Sequence, residues 1–551
     1  MRQNLLRHGF AILLKQQTTM LSAAFMIMAT AVLSLILGFI RQRLMLSIYD
    51  TSTIGFYFYA TSLPDSLFQI IISGAISSAF IPVFSQYLVK KNEAKGYQFA
   101  STLLSVSLTI FFFISIVLFI FAPMVIHYLV APGLPSGQVI PIANLMRIIL
   151  LGEMFFIIAT FLSSLLQCYS QFLIPGIASS LYNFGIIIGI LLFSKWLGMY
   201  AISWGVVLGA FLYILLQVPF VMKKGFRFHF SVKVTNGLRE VFHLMWPRTL
   251  SIAISNVGIL VTGVLISYLA AGARNLTIFD CAKTLAFAPV GLFGVSIAQA
   301  AFPILSREKE NKELFKETLL TSFTQMLYIV LPFSILFLVL RIPLVRLVYG
   351  SAKFDWTATV LTGRTLAFFS VSIFAQSLIN LLQRAFWALH DTITPLVMVA
   401  ISTVVMIFLG AVFLFFYHFG VTSIALAYSL STIFNLILLF GILDKKTGGF
   451  EKKAFIISLI KIFSASFFTA FALYIPIKLL DQLVFDTTKT VNLLLLGGIS
   501  SMLGLALYVF LTWLFNVKEA RAYVLLFKKA GNWKELLGKN KEPLDGTLGR
   551  F

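Results

Sequence analysis

Charged residues and cysteines are scarce in this sequence. Of its 551 residues, only 11% are charged, whereas 59% are hydrophobic. Soluble domains carry about 25% charged residues, so this composition excludes an ordinary soluble protein and indicates a polytopic membrane protein. The two cysteines, Cys168 and Cys281, both lie in apolar segments. They therefore provide neither a disulfide framework nor a metal-binding spacing.

Motifs for catalysis, metal binding and nucleotide hydrolysis are also missing. The histidines have no metal-ligand spacing and are scattered at His8, His127, His229, His243, His390 and His418. No acidic pair lies in a loop large enough for an active site, and no G-x-x-x-x-G-K-S/T loop is present. We therefore expect no enzyme, no metal and no resident cofactor. Transport would draw on a monovalent cation (Na⁺ or H⁺), on the membrane potential or on downhill flow of substrate.

Long apolar runs predict an all-α protein with fourteen membrane-spanning helices. The first run, from Met20 to Ile40, is too long for a signal-peptide core and lacks a small-residue cleavage site. The predicted spans are 20–40, 53–88, 98–130, 138–167, 171–194, 198–222, 241–271, 276–305, 317–349, 357–388, 392–416, 420–443, 454–480 and 491–516. Because the number is even, both termini are predicted on the same side of the membrane.

Basic residues are distributed unevenly between the two sides. A net charge of +22 would suggest a nucleic-acid partner in a soluble protein. Here the loops on the side of the N-terminus hold clusters such as Lys90, Lys91 and Lys95, whereas the opposite loops hold few basic residues. The positive-inside rule therefore places both termini in the cytoplasm. The charge is expected to attract anionic membrane lipids and not nucleic acid.

An internal repeat divides the chain. The segment AFIPVFSQ (79–86) reappears as AAFPILSR (300–307). The matching residues are Pro82 with Pro303, Pro123 with Pro343, Leu165 with Leu381, Pro175 with Pro395 and Gly198 with Gly420, at offsets of 221, 220, 216, 220 and 222. This predicts two like-oriented six-helix lobes, 20–222 and 241–443, related by a pseudo-twofold axis along the membrane normal and followed by a two-helix hairpin at 454–517.

Three further segments complete the predicted domain organisation. Residues 1–19 form a basic, mildly amphipathic segment that is expected at the cytoplasmic interface. Residues 223–240 form a cytoplasmic linker between the lobes. The tail at 518–551 is basic, with Trp and Leu on one side, and is expected to lie on the cytoplasmic leaflet, the alternative being a solvated tail.

The second predicted span has an unusually polar composition. A short polar loop with Arg41, Arg43 and Asp50 is predicted before it, and the span itself contains Asp65, Gln69 and several Ser and Thr residues. Each polar group without a partner in hydrocarbon costs free energy. We therefore predict that this helix lines a polar cavity.

Ionisable and polar residues within the other spans are further candidates for a transport site. They are Arg147 and Glu153 in the fourth span, Arg248 in the seventh, Asp280 and Lys283 in the eighth, Asn380 and Arg384 in the tenth, and Asp391 at the start of the eleventh. Structural alternatives remain open. The two arginines near the cytoplasmic ends, Arg248 and Arg384, can snorkel to lipid headgroups. Asp280 and Lys283 can form a local ion pair, and Glu153 can hydrogen-bond a neighbouring helix.

Several motifs in a fixed order resemble a known family. They are LGFIRQ (37–42), LPD and SGAISSAFIPVFSQ (63–86), APG (131–133), NLMRI (144–148), IPGIASSLYNFGII (174–187), WPRTLSIAIS (246–255), APVGLFGVSIAQAAFPILS (288–306), YGSAKFDW (349–356) and FWALHDTITP (386–395). In this order they resemble the MurJ (MviN) lipid II flippase family of the MOP superfamily. The resemblance covers about residues 20 to 450, and the final hairpin has the place and length that it has in the family.

The resemblance implies a function and a site. It implies alternating-access movement of an undecaprenyl-pyrophosphate-linked peptidoglycan precursor from the inner to the outer leaflet of the bacterial cytoplasmic membrane, by a monomer. In the family the two lobes form a V around a cationic cavity. The candidate cavity residues are Arg41, Gln69, Ser73, Arg248, Asp280, Lys283 and Thr284. The candidate residues for ion binding or gating are Glu153, Arg147, Asn380, Arg384 and Asp391.

Of the family's charged residues, Arg41 matches the arginine of the L-G-F-x-R motif. Other expected charges are replaced, at Leu35, Gln42, Gly55, Phe68 or Gln69, and Thr284. The alternatives are therefore a flippase for another lipid-linked oligosaccharide, an antiporter similar to the MATE multidrug transporters, and a non-transporting cell-wall scaffold with a degenerate site.

Overall fold

The computed structural model describes residues 20–73, 80–232, 236–450, 452–483 and 490–520. Every regular element within these ranges is an α-helix or a short π-helical segment. The predicted interfacial segment 1–19 and residues 521–551 of the predicted tail lie outside the described residues.

The helices of the first half, up to residue 223, are connected by short turns. They are α1 (Met20–Ile48), α2 (Thr51–Phe68), α3 (Ile81–Val89), α4 (Glu93–Ile120), α5 (Ala122–Val125), α6 (Ser136–Cys168), α7 (Leu173–Leu197) and α8 (Tyr200–Lys223). Two π-helical segments follow α2 and α5, at Gln69–Ser73 and Ile126–Val130.

The second half has the same succession of long and short helices and ends in a hairpin. Its helices are α9 (Asn236–Ser267), α10 (Gly272–Pro289), α11 (Ser296–Glu308), α12 (Lys312–Val339), α13 (Arg341–Tyr349), α14 (Trp356–Ser370), α15 (Ile373–Ala388), α16 (Ile393–Phe415), α17 (Val421–Thr447), α18 (Lys452–Leu483) and α19 (Thr490–Leu514). A third π-helical segment, Val290–Val295, joins α10 to α11.

Most of these helices can cross a membrane. Twelve helices in the described ranges are long and apolar enough, and the pair α14 and α15, bent by 42°, raises the number to 13. The second predicted span corresponds to α2, the first π-helical segment and α3, which flank residues 74–79 outside the described ranges. The predicted all-α, multi-span fold class is confirmed, and an arrangement of fourteen spans is consistent with it.

The helix bounds of the first half recur in the second. Helices α2 and α10 begin at Thr51 and Gly272, an offset of 221, and a π-helical segment follows directly after each. Helix α6 spans 136–168 and the pair α14–α15 spans 356–388, an offset of 220. The offset from the matched prolines and glycines is therefore also the offset of the helices. The pair of LLQ sequences, at 216, lies about one helical turn away from it.

The predicted loop at Arg41 and Arg43 is wrong. Helix α1 continues past the predicted end at Ile40 as far as Ile48, so both arginines are on a helix. The physical reason is that Arg, Gln, Leu and Met are strong helix formers and this stretch contains neither Pro nor Gly. The polar turn begins only at Asp50, whose side chain accepts hydrogen bonds from backbone N–H groups at the start of α2.

The chain divides into two compact units, each with most of its residue contacts inside itself. The first unit comprises Met1–Asp280, Val348–Ala358 and Val399–Ile424, and the second comprises Cys281–Leu347, Thr359–Met398 and Ala425–Phe551. These bounds differ from those of the lobes predicted from the repeat. The division into lobes at 20–222 and 241–443 therefore stays a prediction.

The first unit combines an aromatic core with close contacts between glycines. The ring of Phe80 lies 5.3 Å from that of Phe84 and 4.7 Å from that of Phe161. Elsewhere α7 packs on α8 so closely that a Cβ added at Gly185 would lie 2.4 Å from the Cα of Gly209. Without a hydrophobic driving force between helices in lipid, small residues permit the close van der Waals packing that holds them together.

The second unit has its own buried contacts. Leu336 of α12 and Leu340, the C-cap residue of the same helix, pack with Leu473 of α18 in an apolar cluster. The hydroxyl of Tyr508 in α19 donates a hydrogen bond of 3.0 Å to the carbonyl oxygen of Tyr328 in α12. The C-terminal hairpin helices α18 and α19 are therefore packed against α12 within this unit.

Candidate functional site

Four charged side chains come together inside the first compact unit. They are Arg41 on α1, Asp65 on α2, Glu153 on α6 and Asp280 on α10, and Asp65 interacts electrostatically with each of the other three. Such interactions are stronger in a low-dielectric interior than in water. The cluster contains three carboxyl groups and one guanidinium, so its described side chains are acid-rich. The family resemblance had implied a cationic cavity here.

The side chains of Asp65 and Glu153 form a hydrogen bond with each other. Glu153 is only 4% exposed, and its Oε2 atom is buried without a donor among the described residues. An ionised carboxylate only accepts hydrogen bonds, so a bond between two carboxyls requires that one of them carries a proton. The two carboxyl groups therefore come within hydrogen-bonding reach of each other, an arrangement that can hold one proton between them.

Arg41 lies beside this pair with unused hydrogen-bonding capacity. Its Nε atom is buried and has no acceptor among the residues that the structure describes. Its charge interacts with Asp65 and with the phenols of Tyr57 and Tyr182. Because a buried donor without an acceptor costs free energy, Arg41 can accommodate an anionic group at this point.

Of three further predicted cavity residues, Gln69, Ser73 and Arg248, the structure describes the side chain of Gln69. Gln69 begins the π-helical segment after α2 and is exposed. The side chains of Ser73 and Arg248 lie outside the described residues, so their predicted role in the cavity stays a prediction.

Lys283 and Thr284 are on α10 and belong to the second compact unit. The ammonium group of Lys283 lies 5.9 Å from the centroid of the Phe287 ring, a cation–π arrangement. Thr284 is half-buried. Their predicted contribution to a substrate cavity stays a prediction.

Arg147 is engaged in local contacts. Its Nε donates a hydrogen bond of 3.0 Å to the carbonyl oxygen of Phe119, and its Nη1 donates one of 2.9 Å to Oδ1 of Asn144. Its guanidinium also lies 5.3 Å from the centroid of the Phe119 ring. These contacts fasten α6 to the end of α4, which gives Arg147 a structural role.

Arg384 contacts the third π-helical segment within the second unit. Its Nη1 donates a hydrogen bond of 2.9 Å to the carbonyl oxygen of Val295. A π-helical turn disrupts the regular i to i−4 hydrogen bonds, and the guanidinium supplies a donor where that segment ends. Asn380, one turn earlier on α15, donates to the carbonyl oxygen of Gln376 on its own helix.

Asp391 caps a helix and pairs with a lysine. One carboxylate oxygen accepts hydrogen bonds from the backbone N–H groups of Ile393 and Thr394 at the start of α16. The other lies 2.5 Å from Nζ of Lys446. Both oxygens are therefore occupied by protein donors, which fits a structural role for Asp391.

Two helix ends that the positive-inside rule predicts on the outer side of the membrane, the starts of α2 and α10, approach one another closely. A Cβ added at Gly55 of α2 would lie 1.9 Å from the carbonyl oxygen of Ala273 in α10. The hydroxyl of Thr277 donates a hydrogen bond of 2.7 Å to the carbonyl oxygen of Thr51. Helices from both halves of the chain are thus joined at this end of the first unit.

The loop between α13 and α14 makes further contacts at the same end of the first unit. Ser351 donates a hydrogen bond of 2.6 Å to the carbonyl oxygen of Leu46, and Lys353 donates one of 2.5 Å to that of Ile48. Asp355 forms an ion pair of 2.9 Å with Arg274. The loop therefore ties the end of α1 to the start of α10.

The predicted site lacks Asp65 of this cluster and the two tyrosines that interact with it, Tyr57 and Tyr182. Asp65 is one of the polar residues of the second predicted span and is not among the predicted cavity residues. A carboxyl inside a membrane span is a functional candidate by default, and this signal could have identified it. Tyr57 and Tyr182 carry no such signal, because tyrosines are common in apolar helices. Among the described residues, no group of three or more His, Cys, Asp and Glu could hold a metal ion.

A bundle of membrane-spanning helices with charged groups in its interior and helix ends joined at one side is the architecture of a polytopic membrane transporter. The chain belongs to the lipid II flippase MurJ family, whose model matches residues 46–495.

Two relatives illustrate the sequence similarity. A probable lipid II flippase MurJ of Buchnera aphidicola subsp. Acyrthosiphon pisum (strain APS) is 28% identical over 418 residues, which are 74% of this chain and 80% of the relative. The lipid II flippase MurJ of Burkholderia cenocepacia is 26% identical over 424 residues, which are again 74% of this chain and 80% of the relative.

Two solved structures have the same fold. A lipid II flippase MurJ in an inward closed conformation matches with a TM-score of 0.73 and 21% identity, covering 88% of this chain and 98% of that one. An inward-facing multidrug resistance MATE family transporter of the MOP superfamily matches with a TM-score of 0.63 and 12% identity, covering 76% and 96%. The chain therefore shares its fold with both of these structures.

Proposed function

We propose that this protein is a lipid II flippase that acts from the bacterial cytoplasmic membrane. It moves the undecaprenyl-pyrophosphate-linked peptidoglycan precursor from the inner to the outer leaflet, as a transporter and not as an enzyme. Membership of the flippase family supports the substrate, and the multi-span fold supports the location. The distribution of basic loops supports a cytoplasmic position for both termini.

The observation that carries the proposal is the buried Nε of Arg41, which has no acceptor among the described residues. A guanidinium binds phosphate oxygens through short, charge-assisted hydrogen bonds. A diphosphate group linked to the lipid would supply the acceptor that the protein lacks here. Arg41 is also the residue that matches the family's L-G-F-x-R motif.

Alternating access is the mechanism that the arrangement supports best. The contacts of Gly55 with Ala273 and of Thr277 with Thr51 hold helix ends together on the proposed outer side. Separation of these ends would expose the interior to the outer leaflet. The close approach depends on the absence of a side chain at Gly55, so it can form and break without repacking a large residue.

A cation antiporter is the second candidate function. The observation that favours it is the excess of carboxyls, since Asp65 interacts with Glu153 and Asp280 as well as with the guanidinium of Arg41. Such a cluster suits a cationic ligand as well as an anionic one. The experiment below separates the two candidates because it measures lipid II itself.

Complementation of cells depleted of their own flippase tests the proposal. Expression of the wild-type chain should restore growth and raise the amount of lipid II that an externally added probe can reach. Arg41→Ala should lose this activity while its amount in the membrane is unchanged, because the anionic headgroup loses its charged partner. Wild-type protein that is inserted in the membrane yet exposes no lipid II would contradict the proposal.

Arg43→Ala is the matched control. Arg43 is two residues away on α1, and two residues rotate a helical side chain by about 200°. The loss should therefore be confined to Arg41. Equal loss in both variants would assign the effect to the charge of α1 as a whole and remove Arg41 from the binding site.

A further inference from the structure

The carboxyl pair in the first unit combines features that a purely structural hydrogen bond does not need. Asp65 and Glu153 come from different membrane-spanning helices, α2 and α6, and they are bonded to each other. Glu153 is 4% exposed, and its buried Oε2 finds no N–H or O–H donor among the described residues. An amide or a hydroxyl at either position would satisfy the same bond without a titratable group.

The surroundings of the pair determine what it can bind. Arg41 on α1, Tyr57 on α2, Tyr182 on α7 and Asp280 on α10 are the charged or titratable side chains that interact with it. Unperturbed phenols stay neutral below about pH 9. The described carboxyls do not form a group able to hold a metal ion. A proton fits this pair, because it needs only the two oxygens that the hydrogen bond brings together.

We propose that Asp65 and Glu153 bind one exchangeable proton, and that this proton sets the affinity of the Arg41 site for an anionic diphosphate headgroup. With the proton bound, as an O–H bond on one carboxyl, the pair carries one negative charge. When the proton leaves to water, the pair carries two. The extra charge attracts the Arg41 guanidinium and repels the headgroup, so loss of the proton weakens binding.

This inference rests on the proposed function and adds a coupling ion to it. By thermodynamic linkage, a headgroup that binds the protonated form more tightly must itself promote proton uptake. One unit charge at about 8–10 Å with an effective dielectric constant of about 20 changes affinity on the order of tenfold. The affinity for a diphosphate should therefore fall about tenfold as the pair loses its proton with rising pH.

Infrared difference spectroscopy tests the proton site without any substrate. Purified full-length protein should show a band of a protonated carboxyl that disappears as the pH is raised. The band should be missing in Glu153→Gln and in Asp65→Asn, and it should remain in Glu519→Gln. Glu519 is the matched control, because it is a largely buried glutamate whose Oε2 also has no partner among the described residues but which lies outside the cluster. A band that persists in both pair variants and vanishes in Asp280→Asn would overturn the proposal.

Calorimetric binding of inorganic pyrophosphate tests the linkage. In buffers of different ionisation enthalpy, and at a pH near the midpoint of the pair's titration, wild-type protein should take up about half a proton more per bound pyrophosphate than Glu153→Gln. A tenfold linkage shifts this midpoint by about one pH unit, and the titration of the ligand is common to both proteins. The variant should retain its affinity at high pH, because its pair can never gain the second charge. Equal proton uptake in wild type and variant would overturn the linkage.

The two proposals fail in different ways. If the infrared band and the proton uptake are present but no lipid II is exposed in cells, the proposed substrate is wrong and the proton-linked anion site stands. If lipid II is exposed but the band is missing, the flippase function stands and the proton site is overturned.

Discussion

Asp391 shows how a charged residue at the edge of a membrane span can be structural. It caps α16 through the N–H groups of Ile393 and Thr394, and it pairs with Lys446. The carboxylate is 12% exposed and the lysine 42% exposed, so solvent screens the ion pair and its contribution is small. The cap is therefore expected to contribute more than the ion pair.

Two substitutions separate these contributions. Asp391→Ala removes the cap and the ion pair and should lower the free energy of unfolding by about 1–2 kcal/mol, whereas Asp391→Asn keeps a capping side chain and should cost less than about 1 kcal/mol. Thermal unfolding of the detergent-solubilised protein measures both. Lys446→Gln should have no further effect in the Asp391→Asn background. An asparagine variant as unstable as the alanine variant would assign the stabilisation to the ion pair.

The same carboxylate predicts a pH dependence. Burial raises the pKa of Asp391, but hydrogen bonds from Lys446 and Thr394 outweigh this effect, so the pKa lies below its usual value. A carboxylate with a lowered pKa stabilises the folded state above the pKa of the unfolded chain, which is about 3.9, and this contribution is lost as the pH falls through the lower, folded value. Asp391→Asn should therefore lose less stability than the wild type below about pH 4. Parallel acid unfolding curves would contradict this.

For single residues, the sequence identifies the charged side chains within the spans but not the groups that they bond to. Arg147 and Arg384 were recognised as intramembrane cations, yet they bond to carbonyl oxygens of Phe119 and Val295. Backbone acceptors on another helix leave no sequence pattern. The roles of Glu153 and Asp65 depend on the contact between them, which spacing along the chain cannot provide.

Helices that follow from a long apolar run were predictable from the sequence. Helix ends and π-helical turns, which depend on local backbone geometry, were not. The apolar runs predicted most spans, because a helix must satisfy its own backbone in lipid. The predicted end of α1 at Ile40 is wrong because the polar residues after it suggest a loop, whereas they continue the helix to Ile48. The π-helical segments Gln69–Ser73 and Val290–Val295 were not predicted either, since a change from i−4 to i−5 hydrogen bonding has no composition of its own.

The third π-helical segment contains two glycines in different environments. A Cβ at Gly294 would lie 2.8 Å from Cβ of Ser377, whereas a Cβ at Gly291 would meet nothing within 4 Å. Gly294→Ala should therefore lower stability by about 1–3 kcal/mol through overpacking, and Gly291→Ala should change it by less than about 1 kcal/mol. Thermal unfolding in detergent measures the difference. Equal effects of the two variants would mean that α15 moves aside without cost.

The molecule as a whole repeats its helix pattern, and this was predictable from a few prolines and glycines. The common offset is visible in the sequence because these residues fix bends and turns, whereas the apolar residues between them exchange freely. The division into compact units was not predictable. It depends on which helices pack together, such as the approach of α10 to α2 at Gly55.

That approach provides a test of alternating access. Gly55→Ala places a methyl group against the carbonyl oxygen of Ala273 and should separate α2 from α10. Thr277 is fully buried at this end, so a Thr277→Cys reporter should react with an externally added, membrane-impermeant maleimide about tenfold faster in the Gly55→Ala background, as a cost of about 1.4 kcal/mol to the closed state implies. The chain without the reporter gives the background from Cys168 and Cys281.

Gly137→Ala is the control for this experiment, because a Cβ at Gly137 would meet nothing within 4 Å. Its labelling rate should equal that of the reporter alone. If Gly55→Ala also leaves the rate unchanged, the contact between α2 and α10 is not a gate.

The most direct measurement of the central claim is lipid II movement by the purified protein in proteoliposomes. Lipid II is placed in the inner leaflet, and the fraction that a reagent added outside can modify is followed over time. Wild-type protein should raise this fraction well above that of protein-free vesicles, and Arg41→Ala should leave it at the protein-free level. Wild-type protein that is correctly inserted and still gives only the protein-free level would contradict the account.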